Sequence, residues 1–386
     1  MSEADELLKS ARELAQEFYE RSDEIEKARR LPPDVSEKIA RAGFYRMGAP
    51  RVVGGLESAP AVSSEVIEIL ARGDASCAWI TFIGVTSYTT LSAMPAFVGK
   101  EVLADPDTLI TGVFAPTATA DRVEDGFRVS GRWQWGSGSQ NARWVLGGVM
   151  LTENGKPMLD SSGQQRSTMA MMPVSDVEFL DTWHVSGLCG TGSLDYQVKD
   201  LFVPDDWVVG YSRKDKVPVT PLFAFPNFTF LALGIGAVSM GIARAAIDEL
   251  VDLAVKKKRV GARQTVSEQQ ISQVKLAQAE ADLRSARAFY YETLESAWQC
   301  AVVEQKVDVE RRRDLRLATT NAVLKSVGVV EEMYNLGGGS SVYQTSRLQR
   351  YLRDINVART HIMVSQQTLE IVGSLFFGLK PNVSRL

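Results

Sequence analysis

The hydrophobic period of the chain changes twice along its 386 residues. Residues 1–110 show helical spacing of apolar side chains, as Leu7 and Ala11 illustrate, whereas 111–215 alternate with the two-residue period of strands. Helical spacing returns over 216–386. A chain of this length exceeds one ordinary domain, so we expect an N-terminal helical domain, a middle β domain and a C-terminal helical bundle.

The middle region predicts a β domain without long helices. An Asp125-Gly126 turn joins two alternating segments and predicts a hairpin. Because alternation repeats every two residues, Trp133 and Trp135 are expected on the same face. We expect an antiparallel barrel or sandwich, with further strands at 144–151, 167–172, 177–182 and 196–203.

The last region predicts four long antiparallel helices in an up-down bundle, at 232–253, 267–300, 309–336 and 348–375. The longest apolar run, 230–243, is shorter than the ~20 residues that span a bilayer and therefore predicts a buried helix. The acidic N-terminus lacks the basic start of a signal peptide. We therefore expect a cytoplasmic protein without a membrane partner.

The composition excludes several classes of function. With 43 basic and 47 acidic residues, the net charge of −4 argues against a nucleic-acid binder. The three cysteines lie far apart, which excludes a disulfide scaffold and a zinc ribbon. The chain has only two histidines, His184 and His361, so no histidine-rich metal site is possible and no metal is predicted.

Common catalytic motifs are also missing from the sequence. It contains no G-x-S-x-G elbow, no phosphate-binding P-loop, no H-E-x-x-H and no dinucleotide-binding glycine motif. A Ser-His-Asp triad would have to recruit His184 or His361, and no feature of the sequence supports that arrangement. His184 follows Trp183 at a strand end and is expected to be structural or to lie at the rim of a site.

The order of the three regions resembles the acyl-CoA dehydrogenase superfamily over essentially the whole chain. The segment GRWQWGSG at 131–138 is similar to the flavin-contacting strand of that superfamily. The resemblance implies that Trp135 lies beside the flavin and that Ser137 hydrogen-bonds the ring near N5. It also implies that the preceding strand, with Phe114 and Thr117, runs along the pyrimidine side of the flavin.

Two further segments resemble one branch of the superfamily, the oxygenase components of two-component, reduced-flavin-dependent monooxygenases. Residues 181–193, DTWHVSGLCGTGS, are similar to the branch signature TWxxxGLxGTGS. Residues 338–361 resemble its C-terminal pattern GGSSxY, LQR and RDxxxAxxH. Because three spaced matches occur in the expected order, the resemblance is more specific than any single motif.

The resemblance implies a flavin held between subunits. Arg263, Gly338, Gly339 and Ser340 are expected to reach the flavin phosphates or the adenosine of a neighbouring subunit, which implies a homotetramer. The expected cofactor is FADH2 or FMNH2, with O2 as cosubstrate. Since the chain lacks a nicotinamide-binding motif, a separate NAD(P)H-dependent flavin reductase is expected to supply the reduced flavin.

The residues expected near the flavin distinguish between two possible reactions. An acyl-CoA dehydrogenase needs a carboxylate base, but no acid occurs at 216–247 and none follows the RD motif before Glu370. A monooxygenase instead shelters a C4a-hydroperoxyflavin from water. We therefore assign His361 as a substrate-orienting acid/base and Ser137 as the hydrogen-bond partner of the flavin.

The expected substrate is a small aromatic or heteroaromatic molecule in a pocket that includes Trp79, Asn141, Phe225 and Phe228. Asn141 stands where many members of the branch have a histidine. Whether carbon, nitrogen or sulfur is oxidised stays open. Three alternatives also stay open: an acyl-CoA dehydrogenase or oxidase with a displaced base, an N-oxidising nitrososynthase-like enzyme, and a catalytically silent flavin-binding or scaffold protein.

Overall fold

The computed structural model describes residues 2–258, 261, 263–384 and 386. Its first layer is helical, and α1 begins with a capping box in which Ser2 and Asp5 satisfy each other's backbone N–H groups. The layer contains α1 (Glu3–Ala28), α2 (Pro33–Arg41), α3 (Pro60–Gly73), α4 (Ala75–Tyr88) and α5 (Ala96–Val102).

Helix α4 lies at the centre of the molecule. The Asp74 side chain caps it by accepting the N–H of Cys77 at 2.9 Å. Every residue of α4 is buried, because the helix packs against α3 on one side and against the sheet and the C-terminal helices on the others. A side chain on α4, such as Trp79, therefore lies where the three regions meet.

The second layer is a seven-stranded sheet. Its strands are β1 (Ile110–Val123), β2 (Gly126–Gly136), β3 (Trp144–Glu153), β4 (Lys156–Pro157), β5 (Ser167–Pro173), β6 (Glu178–Leu180) and β7 (Leu194–Pro204). The spatial order is β4-β3-β1-β2-β7-β6, and β5 pairs with β3. The predicted β1–β2 hairpin is present.

The expectation of a wholly antiparallel sheet is wrong for one pair, since β1 and β3 are parallel. After β2 the chain passes through a 3-10 turn at Ser139–Asn141. This turn carries the chain past β2 to the other side of β1, where β3 enters in the same direction as β1. The crossing places Ser137 and the turn beside α4.

The prediction that two tryptophans share one face is also wrong. Trp133 is fully buried and stacks on Tyr196, whereas Trp135 is 68% exposed. The pairing of β2 with β7 shifts register between Trp133 and Gly136, and Trp135 has a φ of +66°. Because this left-handed residue breaks the alternation, the second ring turns outward.

The third layer comprises α6 (Asn227–Ala254), α7 (Gln270–Glu304), α8 (Val309–Gly337), α9 (Arg347–Ala358) and α10 (Gln366–Phe376). Helix α6 is long and apolar enough to cross a membrane, but 94% of its most apolar window is buried within the fold. The prediction of a buried helix is therefore confirmed.

The predicted fourth helix of the bundle is in fact two helices. His361 has an extended backbone, and its Nδ1 accepts the N–H of Met363 at 3.2 Å. A 3-10 turn at Ile362–Val364 follows before α10 begins. Helix α9 thus ends before His361, and the imidazole caps the short 3-10 turn that separates α9 from α10.

Candidate active site

Ser137 lies in a chain of hydrogen bonds that spans two layers of the fold. The indole Nε1 of Trp79 donates to Ser137 Oγ at 3.1 Å, and Ser137 Oγ lies 2.7 Å from Ser193 Oγ. Ser193 Oγ lies 2.7 Å from Thr191 Oγ1, which donates to the Leu188 carbonyl at 2.8 Å. We call the three linked hydroxyls, of Ser137, Ser193 and Thr191, the hydroxyl chain.

The two ends of the hydroxyl chain set the direction of every proton in it. An indole N–H can only donate and a carbonyl oxygen can only accept. Ser193 therefore donates to Thr191, and Ser137 donates to Ser193 while it accepts from Trp79. Ser137 Oγ keeps one lone pair, so this buried oxygen presents an acceptor rather than a donor.

Trp135 lies two residues before Ser137, near the end of β2. Its backbone carbonyl accepts the N–H of Ser137 at 2.9 Å, and its φ of +66° is rare for a bulky residue. Such backbone strain concentrates at functional sites. Ser137 is buried, whereas Trp135, with its large apolar ring, is exposed.

Phe114 and Thr117 lie in a bulge of β1, between the register positions of Val113 and Ala118. The Thr117 hydroxyl donates to the Arg132 carbonyl at 2.9 Å, three residues before Trp135. Thr117 is exposed and Phe114 is half-buried. The structure thus brings the three predicted ring contacts of β1 and β2 to one region of the sheet.

His361 comes to the same site from the opposite layer. Its ring centroid lies 6.1 Å from that of Trp79, edge to face. Burial and the charge of Arg316 lower the pKa of His361 to about 4. The ring is therefore neutral at pH 7, and because Nδ1 accepts the N–H of Met363, the ring proton resides on Nε2.

Three of the predicted pocket residues, Asn141, Phe225 and Phe228, lie in other surroundings. The Asn141 amide donates to the Leu31 carbonyl at 3.1 Å, at the junction with the N-terminal layer. Phe225 is buried with its ring 6.1 Å from that of Trp298, and Phe228 lies at the start of α6 with its ring partly exposed. Their roles in substrate binding stay predictions.

Three of the four predicted phosphate contacts, Gly338, Gly339 and Ser340, directly follow α8. Gly338 has a φ of +56°, and Gly339 has open space around it. Lys257 donates to Ser340 Oγ at 2.7 Å and also contacts the Gly337 carbonyl. Arg263 is exposed on the loop that follows Lys257, so these residues lie at a surface that another subunit could reach.

His184 lies in a surface network instead. Arg29 contacts the His184 ring at 2.9 Å and bonds both oxygens of Asp181 at 3.0 Å. The network ties the end of α1 to the loop after β6. This geometry fits the structural reading of His184.

Comparison with known proteins assigns the family. Residues 1–97 and 233–366 match the models described as acyl-CoA dehydrogenase, N-terminal domain and C-terminal domain. The indole-3-acetate monooxygenase of Pseudomonas putida is 34% identical over 93% of this chain and 90% of its own length. The chain belongs to the acyl-CoA dehydrogenase family. Within it, the chain is a flavin-dependent monooxygenase, an oxygenase component, as the resemblance predicted.

Solved structures support the same assignment. The HsaA monooxygenase of Mycobacterium tuberculosis has a TM-score of 0.88 and 25% identity, covering 99% of this chain and 100% of that one. XiaF from Streptomyces sp., solved in complex with FADH2 and glycerol, has a TM-score of 0.88 and 25% identity, covering 98% and 96%. The predicted α–β–α fold is confirmed.

The residues at this site fit a flavin. A reduced isoalloxazine carries an N–H at N5, and Ser137 Oγ offers one free lone pair to such a donor. The exposed Trp135 ring offers an apolar plane for the tricyclic ring to cover.

Sequence reasoning missed three residues of this site. Ser193 and Thr191 belong to the GTGS motif, so the signature marked their segment but not their hydrogen bonds. Arg316 lies in the first third of α8, and no motif marked it. Only the packing of α8 against α6 and α10 brings it near His361.

Proposed function

We propose that this enzyme uses reduced FAD and O2 to hydroxylate or otherwise oxidise a small aromatic or heteroaromatic substrate. The observation that carries the proposal is the hydroxyl chain, which leaves Ser137 as a buried acceptor two residues after the exposed Trp135. Reduced flavin, when bound, supplies the electrons that activate O2. The FADH2 complex of XiaF supports FAD over FMN.

The protein's own residues orient the flavin and exclude water. Ser137 would accept the N–H of the reduced ring, and Trp79 holds that serine in place through its indole N–H. Trp79 packs edge to face on Phe82 with ring centroids 4.7 Å apart, which makes an apolar wall. Such a wall suits a flat substrate and keeps water away from the oxygen chemistry.

His361 would orient the substrate as a neutral hydrogen-bond donor. Its Nε2–H is available because Nδ1 is bonded to the backbone. A pKa of about 4 makes the ring a weak base at pH 7. We therefore propose that His361 positions a substrate acceptor atom against the flavin and handles a proton only as that atom reacts.

The proposal also covers the source of the reduced flavin and the assembly of the subunits. A separate NAD(P)H-dependent reductase would deliver FADH2 in the cytoplasm, consistent with relatives named as oxygenase subunits. We propose a homotetramer in which Arg263, Gly338, Gly339 and Ser340 hold the phosphates or adenosine of a flavin bound to a neighbouring subunit. Gly338, Gly339 and Ser340 follow the end of α8, with open space at Gly339, and Arg263 is exposed, which supports this arrangement.

Rapid mixing tests the proposed reaction. The protein is titrated anaerobically with FADH2 and then mixed with O2 buffer, with and without an aromatic substrate. We expect the bound flavin to return to its oxidised spectrum more slowly than free flavin, with one oxygenated product per flavin. Oxidation at the free-flavin rate would contradict the proposal, as would bleaching of bound oxidised flavin by an acyl-CoA.

The dehydrogenase alternative gains no support from the site. Glu370, the first acid after the RD motif, is exposed on α10. The described contacts of Ser137, Trp79 and His361 involve hydroxyls, rings and backbone groups, and none of them is with a carboxylate.

A further inference from the structure

Arg316 is a buried cation that lacks an anionic partner. It is 2% exposed, and within the described part of the chain its recorded contacts include no Asp or Glu. Its Nη1 donates to the Phe228 carbonyl at 3.2 Å, and its Nη2 donates to Thr368 Oγ1 at 3.1 Å. Its Nε is buried and has no hydrogen-bond partner among the residues that the structure describes.

This arrangement is costly for a protein interior. Buried charges are normally paired, because neutral acceptors replace only part of the lost hydration. A guanidinium offers five N–H donors, and a carboxylate can accept two of them side by side. A fixed cation without a counter-ion, held by backbone and hydroxyl groups, is therefore suited to an anion that comes and goes.

The position of Arg316 connects it to the active site. The weakest of its contacts is the thioether of Met363, 4.0 Å from Nη1 and two residues after His361. His361 in turn faces Trp79, whose indole N–H bonds Ser137. The side chains thus follow the order Ser137, Trp79, His361 and Arg316, from the flavin end of the site inward.

We infer that Arg316 binds the carboxylate of an aromatic acid substrate, whose ring lies between Trp79 and the flavin. The inference rests on the proposed function. An incoming carboxylate would displace the flexible Met363 side chain, a poor acceptor, and pair with the guanidinium. The substrate named in the Pseudomonas putida relative, indole-3-acetate, has this chemistry.

Two ligands of the same shape distinguish recognition of the carboxylate charge from recognition of the ring. Indole-3-acetate and the neutral indole-3-acetamide are titrated anaerobically into the FADH2-loaded enzyme, and the ratio of their dissociation constants is measured. The variants are R316Q, which removes the charge, and R316K, which keeps the charge but loses the planar fork. R311Q is the matched control, since Arg311 lies on the same helix and is paired with Asp308 near its start.

We expect the wild type and R311Q to prefer the acid, and R316Q to lose roughly 10- to 100-fold of that preference. R316K should retain an intermediate preference. Equal affinities of the wild type for acid and amide would overturn the inference, even if neither Arg316 variant folds. An equal loss of both ligands in R316Q would overturn it too, because Arg316 would then only support the fold.

The failure of this inference is distinct from failure of the proposed function. If FADH2 binds and the amide is oxidised but the acid has no advantage, only the role of Arg316 is refuted. If FADH2 oxidises at the rate of free flavin with every aromatic probe, the proposed function itself fails.

Discussion

The indole N–H of Trp79 donates to the hydroxyl of Ser137 at 3.1 Å, across the boundary between α4 and the sheet. A side chain from the N-terminal layer thus orients a hydroxyl from the middle layer. Because α4 is buried on all sides, the donor cannot move without disturbing the packing of three regions. The Ser137 hydroxyl, the proposed partner of the flavin, is therefore held in one orientation by the fold itself.

Replacement of Ser137 by alanine should uncouple the enzyme. Removing the acceptor leaves the N–H of the reduced flavin unpaired in a buried site, so we expect roughly a 100-fold loss of product formation. More of the O2 consumed should appear as hydrogen peroxide. Ser139→Ala is the control, since Ser139 is buried nearby but none of the described residues hydrogen-bonds its hydroxyl. Equal coupling in both variants would refute the assigned role.

Ser193 should act as a positioning residue through Ser137. Without the Ser193 hydroxyl, the Ser137 proton loses its acceptor at 2.7 Å and can rotate toward the flavin. We expect Ser193→Ala to raise the peroxide-to-product ratio by roughly tenfold, less than Ser137→Ala does. Ser193→Thr keeps the hydroxyl and should restore coupling. If Ser193→Thr does not restore coupling although circular dichroism shows that it is folded, the hydroxyl chain is not the cause of the uncoupling in Ser193→Ala.

Trp135 should matter for flavin binding and not for stability. Its ring is 68% exposed and its backbone is left-handed, so Trp135→Gly relieves strain and removes little packing. We expect weaker binding of FADH2 by at least roughly tenfold, with an unchanged or higher Tm. Trp133→Ala is the contrast, because that buried ring should cost roughly 3–5 kcal/mol of unfolding free energy. A fall in Tm for Trp135→Gly would contradict this assignment.

The layers of the fold could be predicted because they depend on local periodicity. The helical and strand periods mark which segments bury one face, and the predicted bounds of most elements agree closely with the structure. The parallel β1–β3 pair was missed, since strand direction depends on where the chain crosses the sheet. The break at His361 was missed because a side-chain cap leaves the hydrophobic period unchanged.

The site could be predicted only in part. Ser137 and Trp135 belong to a segment with a strong resemblance, so their place beside a flavin could be inferred. The opposite orientations of Trp133 and Trp135 depend on a single left-handed residue, which periodicity cannot show. Arg316 carries no local signal, because its burial and lack of a counter-ion arise entirely from tertiary packing.

Asp354 should make the protein less stable as the pH rises. This fully buried carboxyl accepts the Leu188 N–H at 2.6 Å, and burial, helped by Asp74, raises its pKa to about 7. The folded state therefore binds more protons than the unfolded state between pH 4 and 7. The protonated carboxyl contributes its full share of the unfolding free energy below about pH 4. This contribution is lost as the pH rises from about 4 through 7.

The variant Asp354→Asn should remove most of this dependence. Asparagine keeps an acceptor for the Leu188 N–H but cannot ionise. We expect the wild type to lose on the order of 2 kcal/mol more unfolding free energy than the variant between pH 5 and 8, measured by urea denaturation. Parallel pH dependence in the two proteins would show that Asp354 does not titrate in this range.

His361 should stay neutral through the working range of pH. Burial and the Arg316 charge lower its pKa to about 4, so the folded ring does not take up a proton between pH 5 and 8. The unfolded chain, with an ordinary histidine, binds a proton below about pH 6.5, and this residue therefore lowers stability as the pH falls from 6.5 toward 4.

The variant His184→Gln leaves His361 as the sole histidine, so its ring signal can be followed by NMR. We expect no titration above pH 5, and a higher pKa when Arg316→Gln is added because the neighbouring positive charge is gone. A midpoint near 6.5 in the single variant would refute the neutral, substrate-orienting role.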